Sequence, residues 1–102
     1  MLPESKFWSS GQWQVKDGNT EEFVQGWHEF LTWTRSEYKA CLGARLIQQL
    51  RQQDSFVSFA SWENVEAMAA WQASPQFKER YDALCALCEN VHSGAYELAV
   101  EV

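Results

Sequence analysis

Residues 56–77 read FVSFASWENVEAMAAWQASPQF. Two periodicities meet in this stretch. Val57 and Phe59 fall on one side of a period-2 pattern, and Phe56, Ser58 and Ala60 on the other, which predicts a strand. Beyond it, Val65, Met68, Ala69 and Trp71 recur at helical spacing. Ser61 and Asn64 are both good N-cap types, and Glu63 and Glu66 place negative charge where the helix dipole favours it. Ser74-Pro75 then interrupts the helix. Serine is a good cap and proline suits the first helical position, so a second helix is expected to start against the end of the first.

Toward the N-terminus, residues 1–6 read as a loose lead-in, and residues 7–16 alternate as a strand. Phe7, Ser9, Gly11, Trp13 and Val15 share one face of it. Gly11 falls where a larger side chain could stand, which leaves room for a ligand or a bulge. Asp17-Gly18 signals a turn. Asn19 and Glu22 form a capping-box-like pair opening a helix expected over residues 20–42. Its apolar stripe is Phe23, Trp27, Phe30, Leu31, Thr34, Tyr38 and Cys41, and Gly43 is its expected stop. Trp33 falls off the stripe and is expected to be exposed or covered by a partner chain. Residues 45–51 and 55–60 read as a hairpin around Gln52-Gln53-Asp54. Toward the C-terminus the broken helix is expected over residues 64–91. Its second half carries Phe77, Tyr81, Leu84, Cys85, Cys88, Val91 and His92 on one face, and Ser93-Gly94 ends it. Residues 95–102 alternate as a last strand with Tyr96, Leu98, Val100 and Val102 inward.

The order is β-α-β-β-α-β, a ferredoxin-like α+β fold in one domain over residues 1–102. Helices would cover one face of a four-stranded antiparallel sheet. The other face keeps apolar and aromatic residues that a lone domain cannot leave bare, so two such sheets are expected to pair in a homodimer.

Composition narrows the function. At 46% hydrophobic and 15% aromatic, the 102 residues form a folded domain. Six tryptophans are more than one small core can hide, so some are expected in a pocket or an oligomer contact. A net charge of −6 with scattered Lys and Arg excludes a protein that tracks a nucleic-acid backbone. No apolar run is long enough to span a membrane, and residues 1–10 have no signal-peptide pattern. Three cysteines, an odd count, are expected to be free thiols of a cytoplasmic protein. No Gly-rich phosphate loop, nucleophile elbow or HExxH is present to hold a cofactor by a readable motif.

The run over residues 55–80, with the Trp62 turn, Trp71, Ser74-Pro75 and Phe77, followed by Tyr-Glu-Leu at residues 96–98, resembles the antibiotic biosynthesis monooxygenase domain. That family belongs to the dimeric α+β barrel superfamily. The resemblance implies a dimeric barrel with a cavity between sheet and helices. It also implies cofactor-free oxygenation of a small aromatic, quinol-like molecule. A non-catalytic barrel that binds a small ligand, and a haem-binding or haem-degrading relative, are the alternatives. Haem-degrading members carry a Trp followed ten residues later by an iron-ligating His, and an Asn on the first strand. Here Trp71 matches, Tyr81 stands at the His position, and the first strand offers Ser9, Ser10 and Gln12. The polyketide oxygenases place an Asn four residues before the Trp and a Tyr six after it, where this chain has Ala67 and Phe77. No cofactor is therefore expected, with haem held by a tyrosinate at Tyr81 as the less favoured alternative.

The expected site follows. Trp71 and Tyr81 are the catalytic candidates, Trp71 through an indole N–H that would orient an oxygen atom. Trp13, Phe59, Trp62, Phe77 and Tyr96 are the substrate-binding candidates. His28 and His92 read as surface residues, His92 beside a helix C-terminus. Cys85, Cys88 and His92 would share one helical face, but a fourth ligand could come only from Cys41 on the other helix. No metal is expected, and the cysteines read as small core hydrophobes. A CxxC that ends a helix rather than beginning one also argues against a redox pair.

Overall fold

The period-2 stretch becomes the strand Ser55–Trp62, two residues longer than its alternation predicts, in the computed structural model, which describes residues 6–102. The lead-in expected over residues 1–6 lies outside the described residues except for Lys6. The elements are β1 (Phe7–Val15), α1 (Thr20–Glu37), β2 (Cys41–Gln48), β3 (Ser55–Trp62), α2 (Val65–Ala73), α3 (Pro75–Cys85) and β4 (Cys88–Glu97). The strands form one antiparallel sheet in the order β2-β3-β1-β4, the ferredoxin-like arrangement with the second helix divided.

Local chemistry sets the helix starts. Asn64 caps α2 by accepting from the Ala67 N–H at 2.8 Å, while Ser61 stays in the strand. Ser74 caps α3 by accepting from the Phe77 N–H at 3.0 Å, with Pro75 at the first position. Asn19 takes the N-cap position of α1, but its side chain makes no cap bond, so the expected capping box does not form.

Three boundaries depart from expectation, and the sheet explains each. α1 ends at Glu37 instead of residue 42. Cys41 pairs with Trp62 in the β2–β3 ladder, and Gly43 sits at an irregularity of that ladder instead of stopping a helix. α3 ends at Cys85, not residue 91, because the chain from Cys88 onward pairs along the edge of β1. That ladder starts at Val15↔Cys88 and takes in Ser93-Gly94, so those residues end no helix. The last strand accordingly closes at Glu97. Leu98, Val100 and Val102 are 39%, 76% and 119% exposed, and Tyr96 is 58% exposed, so none of the four points into the helix-side core.

Register sorts the side chains. Trp13 lies opposite Phe56, Gly11 opposite Ser58, Ser9 opposite Ala60 and Phe7 opposite Trp62. Those positions pack under the helices with Phe23, Trp27 and Phe30 of α1, Met68 and Trp71 of α2 and Leu84 of α3. The opposite parity puts Trp8, Val57, Phe59, Ile47 and Tyr96 on the uncovered face, where the Trp8 and Phe59 rings lie 6.2 Å apart. Trp33, off the stripe, is half-buried within the chain: it meets Phe30 and Tyr38, and the Arg80 guanidinium of α3 lies 5.0 Å from its ring centre.

The space above Gly11 is filled by the protein itself. A Cβ there would meet Trp13 Nε1 at 2.8 Å and Ser58 Oγ at 3.2 Å. Gly11→Ala is therefore expected to displace the Trp13 indole and to cost about 1–3 kcal/mol of stability, measured by urea unfolding. An unchanged midpoint would mean the indole yields freely.

Candidate functional site

A cavity of about 330 Å³ lies between the sheet and the helices. α1 contributes Trp27, Phe30 and Leu31, α2 contributes Trp71 and Gln72, and α3 contributes Phe77 and Tyr81. The floor comes from Ser9, Ser10 and Trp13 of β1, Ser58, Phe59 and Ala60 of β3, and residues 93–95 of β4. The wall is a continuous aromatic file. Trp13 stands edge-on to Trp27 at 5.2 Å and Trp27 edge-on to Phe30 at 5.1 Å. Trp71 meets Phe77 at 4.6 Å, and Phe77 stacks on Tyr81 at 5.0 Å. Edge-on and offset geometries suit the ring quadrupoles.

Trp71 and Gln72 on one side of the Ser74-Pro75 bend and Phe77 and Tyr81 on the other all line the cavity. The Ser74 hydroxyl donates to the Trp71 carbonyl at 3.0 Å, which closes α2 just beyond Trp71. α3 then carries Phe77 and Tyr81, and the Phe77 ring returns to meet Trp71 edge-on across the bend.

The structure places the expected site residues unevenly. Trp71, Tyr81, Trp13, Phe59 and Phe77 all line the cavity. Phe59 borders it from β3, although its ring sits beside Trp8 on the uncovered face. Trp62 is fully buried instead: its ring packs 4.9 Å from Trp71, and its N–H donates to Ser9 Oγ at 3.1 Å. Tyr96 pairs with Trp8 in the β1–β4 ladder, on the parity that faces away from the helices. Trp33 does not line the cavity.

The polar atoms are mostly committed to one another. Trp71 Nε1–H donates to Thr34 Oγ1 at 3.0 Å, so the indole does not hold out the free N–H expected of it. Trp13 Nε1–H donates to Ser58 Oγ at 3.0 Å. The Tyr81 hydroxyl donates to Ser93 Oγ at 2.7 Å. Burial raises the Tyr81 pKa above its ordinary value, with Cys85 and Cys88 adding to the shift and the Ser93 bond opposing it. Tyr81 is thus a neutral donor at physiological pH.

Sequence reasoning did not nominate Trp27, Phe30, Leu31 or the serines of the floor. The signals were present. Trp27, Phe30, Leu31 and Thr34 sit on one stripe of α1, and Ser9 and Ser58 are polar residues at the inward parity of their strands.

His28 and His92 are both exposed. Cys85 closes α3, whereas Cys88 and His92 lie on β4, opposite Val15 and Gln12 on either side of a ladder irregularity. The shared helical face expected of the three is thereby dissolved. Among the described residues, no three His, Cys, Asp or Glu side chains converge on a metal position. The cysteines are free, and burial raises the pKa of each, Cys88 to about 11. Cys85 adds to the Cys88 shift and Lys16 opposes it.

Two outcomes are expected. Thr34→Val strands a buried indole N–H and should cost about 1–3 kcal/mol in chemical denaturation; a neutral result would show that Trp71 finds another acceptor. As pH rises from 9.0, the ordinary thiol value, toward about 11, the unfolded chain sheds its thiol protons before folded Cys88 does. The folded chain then holds more protons, so stability falls across this window. Melting curves of Cys88→Ala should show a shallower fall than the wild type, and parallel curves would contradict the assignment.

Comparison with known proteins adds the following. Residues 9–82 match the family model for antibiotic biosynthesis monooxygenase. A provisionally assigned antibiotic biosynthesis monooxygenase of Deinococcus radiodurans is 24% identical, with a TM-score of 0.83 over 94% of this chain and 95% of that one. A point variant of SnoaB, described as a cofactor-independent oxygenase from Streptomyces nogalater, is 18% identical, with a TM-score of 0.86 over 97% of this chain and 98% of that one. A conserved protein from Methanosarcina mazei is 17% identical, with a TM-score of 0.80 over 93% of this chain and 94% of that one. At these identities the structural likeness establishes the fold. No curated protein matches the chain.

Proposed function

Because this chain belongs to the antibiotic biosynthesis monooxygenase family, we propose that it is a monooxygenase acting on a small aromatic, quinol-like substrate in the cavity between sheet and helices, without a bound cofactor. The observation that carries this reading is the character of the wall. It is built mainly of aromatic rings and hydroxyls, and among the described residues Tyr81 is the one ionisable side chain on it. A wall whose described residues bring no carboxylate, imidazole or amine leaves the acidity and the electrons to the substrate. SnoaB, a fold neighbour described as a cofactor-independent oxygenase, supports the same economy here.

The chemistry is then simple to balance. A phenolic ring system in its keto form carries a ring CH2. It loses one proton to water at the rim, where Gln72 and Ser93 are exposed. The resulting carbanion gives electrons to dioxygen. One oxygen atom bonds to that carbon and the other leaves as water, so CH2 and O2 become C=O and H2O. Trp71, Phe77 and Trp13 hold the ring plane and keep water away, which strengthens the electrostatics of the site. Tyr81 donates to the oxyanion of the ionised ring, exchanging its bond to Ser93 for a stronger charge-assisted one.

The reading includes a homodimer. Trp8, Phe59, Ile47 and Tyr96 lie on the uncovered sheet face, with Ile47 52% and Tyr96 58% exposed, and a second copy would cover them. Among the described residues no helix is long and apolar enough to cross a membrane. The free thiols fit a cytoplasmic setting.

Two measurements test this. Incubated with an air-oxidisable phenolic substrate under 18O2, the protein should accelerate formation of a product carrying one labelled oxygen, and Tyr81→Phe should slow it by about tenfold to a hundredfold. Peroxide release with no label in the product would reject a monooxygenase, and affinity without turnover would leave a binding protein. Light scattering should give a dimer that Ile47→Asp weakens; a stable wild-type monomer would defeat the paired-sheet reading.

A further inference from the structure

Among the described residues, the aromatic wall holds one buried indole nitrogen with no hydrogen-bond partner. Trp27 is 5% exposed and borders the cavity. Among the described residues, its Nε1 is the buried side-chain nitrogen without a hydrogen-bond partner. The neighbouring indoles differ, because Trp13, Trp62 and Trp71 each donate to a hydroxyl. Around Trp27 stand the rings of Trp13 and Phe30, inclined at 80° and 90° to it, with Phe23 at 6.3 Å. Ring faces offer an N–H only a weak, second-order contact. Buried donors in folded chains are almost always paired, and leaving one unpaired is costly. When the unpaired donor belongs to a residue of a cavity wall, a bound molecule can supply the acceptor.

We infer that Trp27 Nε1–H is a specificity donor that reads a carbonyl oxygen on a flat, uncharged ring system. The inference rests on the small-aromatic reading of the cavity and adds to it the atom by which the ring is oriented. The acceptor is neutral for a physical reason. The described lining residues include no cation, and the one ionisable side chain among them, Tyr81, stays protonated. A carboxylate beside Trp27 would be buried without a counter-charge, whereas a carbonyl loses little and gains the bond. The nitrogen is covered by protein atoms, so binding includes a small shift of the wall that exposes it to the ligand. Discrimination then takes a definite form. A hydrocarbon of the same outline gains the aromatic contacts but leaves the N–H unpaired, while the ketone gains both.

Fluorenone and fluorene provide the test, since they share one flat three-ring frame and differ in a carbonyl. Each is titrated into the full chain while the six indole N–H resonances are followed by 1H–15N spectroscopy. Fluorenone is expected to move the Trp27 indole proton downfield, and fluorene is not. Trp27→Phe is expected to weaken fluorenone roughly tenfold while leaving fluorene within about twofold. The substitution keeps an aromatic ring and removes the unpaired donor; if it nevertheless fails to fold, the wild-type indole shift decides alone. Equal losses for both ligands, or a Trp27 resonance that responds to both alike, overturn the inference while leaving an aromatic-binding cavity in place. If neither ligand binds the wild type, the aromatic reading of the cavity fails and this inference falls with it.

Discussion

An indole can be buried cheaply only if its N–H finds an acceptor. Much of this domain is arranged around that constraint. Trp13 on β1 donates to Ser58 on β3, and Trp62 on β3 donates back to Ser9 on β1. These two bonds cross between the same pair of strands in opposite directions. They reinforce the register that the backbone ladder sets, because a one-residue slip would turn the slipped strand's Trp and Ser to the other face and break both bonds. Trp71 on α2 donates to Thr34 on α1 and so ties the second helix to the first. Each acceptor is a hydroxyl small enough to lie under a ring, and each is buried. A larger polar residue would not fit there, and an alanine would leave the donor unpaired.

The same rings explain why the interior holds a cavity instead of closing. Aromatic side chains are rigid plates with few rotamers, so they cannot collapse into an irregular gap as Met or Leu can. Trp71 and Phe77 flank the bend between α2 and α3, held 4.6 Å apart in an edge-on contact. The capping of α3 by Ser74 and the fixed φ of Pro75 keep that bend in place. The cavity is thus a by-product of two local rules, helix capping and ring stiffness. Its neutrality follows from the core it is cut from, since a domain of this size cannot bury unpaired charge.

Tyr81 shows how packing and chemistry join. Its ring is held between Phe77, stacked at 5.0 Å, and Trp13, edge-on at 5.2 Å, so its hydroxyl is aimed with little freedom. Burial keeps the phenol protonated, and the bond to Ser93 reaches from α3 to β4. A donor that is both fixed and neutral can stabilise developing negative charge without taking a proton from the substrate.

The sequence alone determined the features governed by neighbours a few residues apart. The strand through Phe56, Ser58 and Ala60, the break at Ser74-Pro75, the α1 stripe and the ferredoxin-like order were all legible, because capping, periodicity and proline geometry are local. Trp71, Phe77 and Tyr81 were legible as wall residues for the same reason, together with the family resemblance of the run around them. Tertiary structure alone decided where α1 and α3 stop, since Cys41 and Cys88 leave the helical pattern to complete ladders with Trp62 and Val15, residues far away in the chain. It also decided that Trp62 belongs to the core and Tyr96 to the uncovered face, because strand register fixes a side chain's face and depends on the partner strand. Finally, it paired the Trp13, Trp62 and Trp71 indoles with hydroxyls across 37 to 53 residues of sequence and brought no acceptor among the described residues to Trp27. No local pattern carries that information: whether a buried N–H is satisfied depends on which distant oxygen the folded chain brings within about 3 Å.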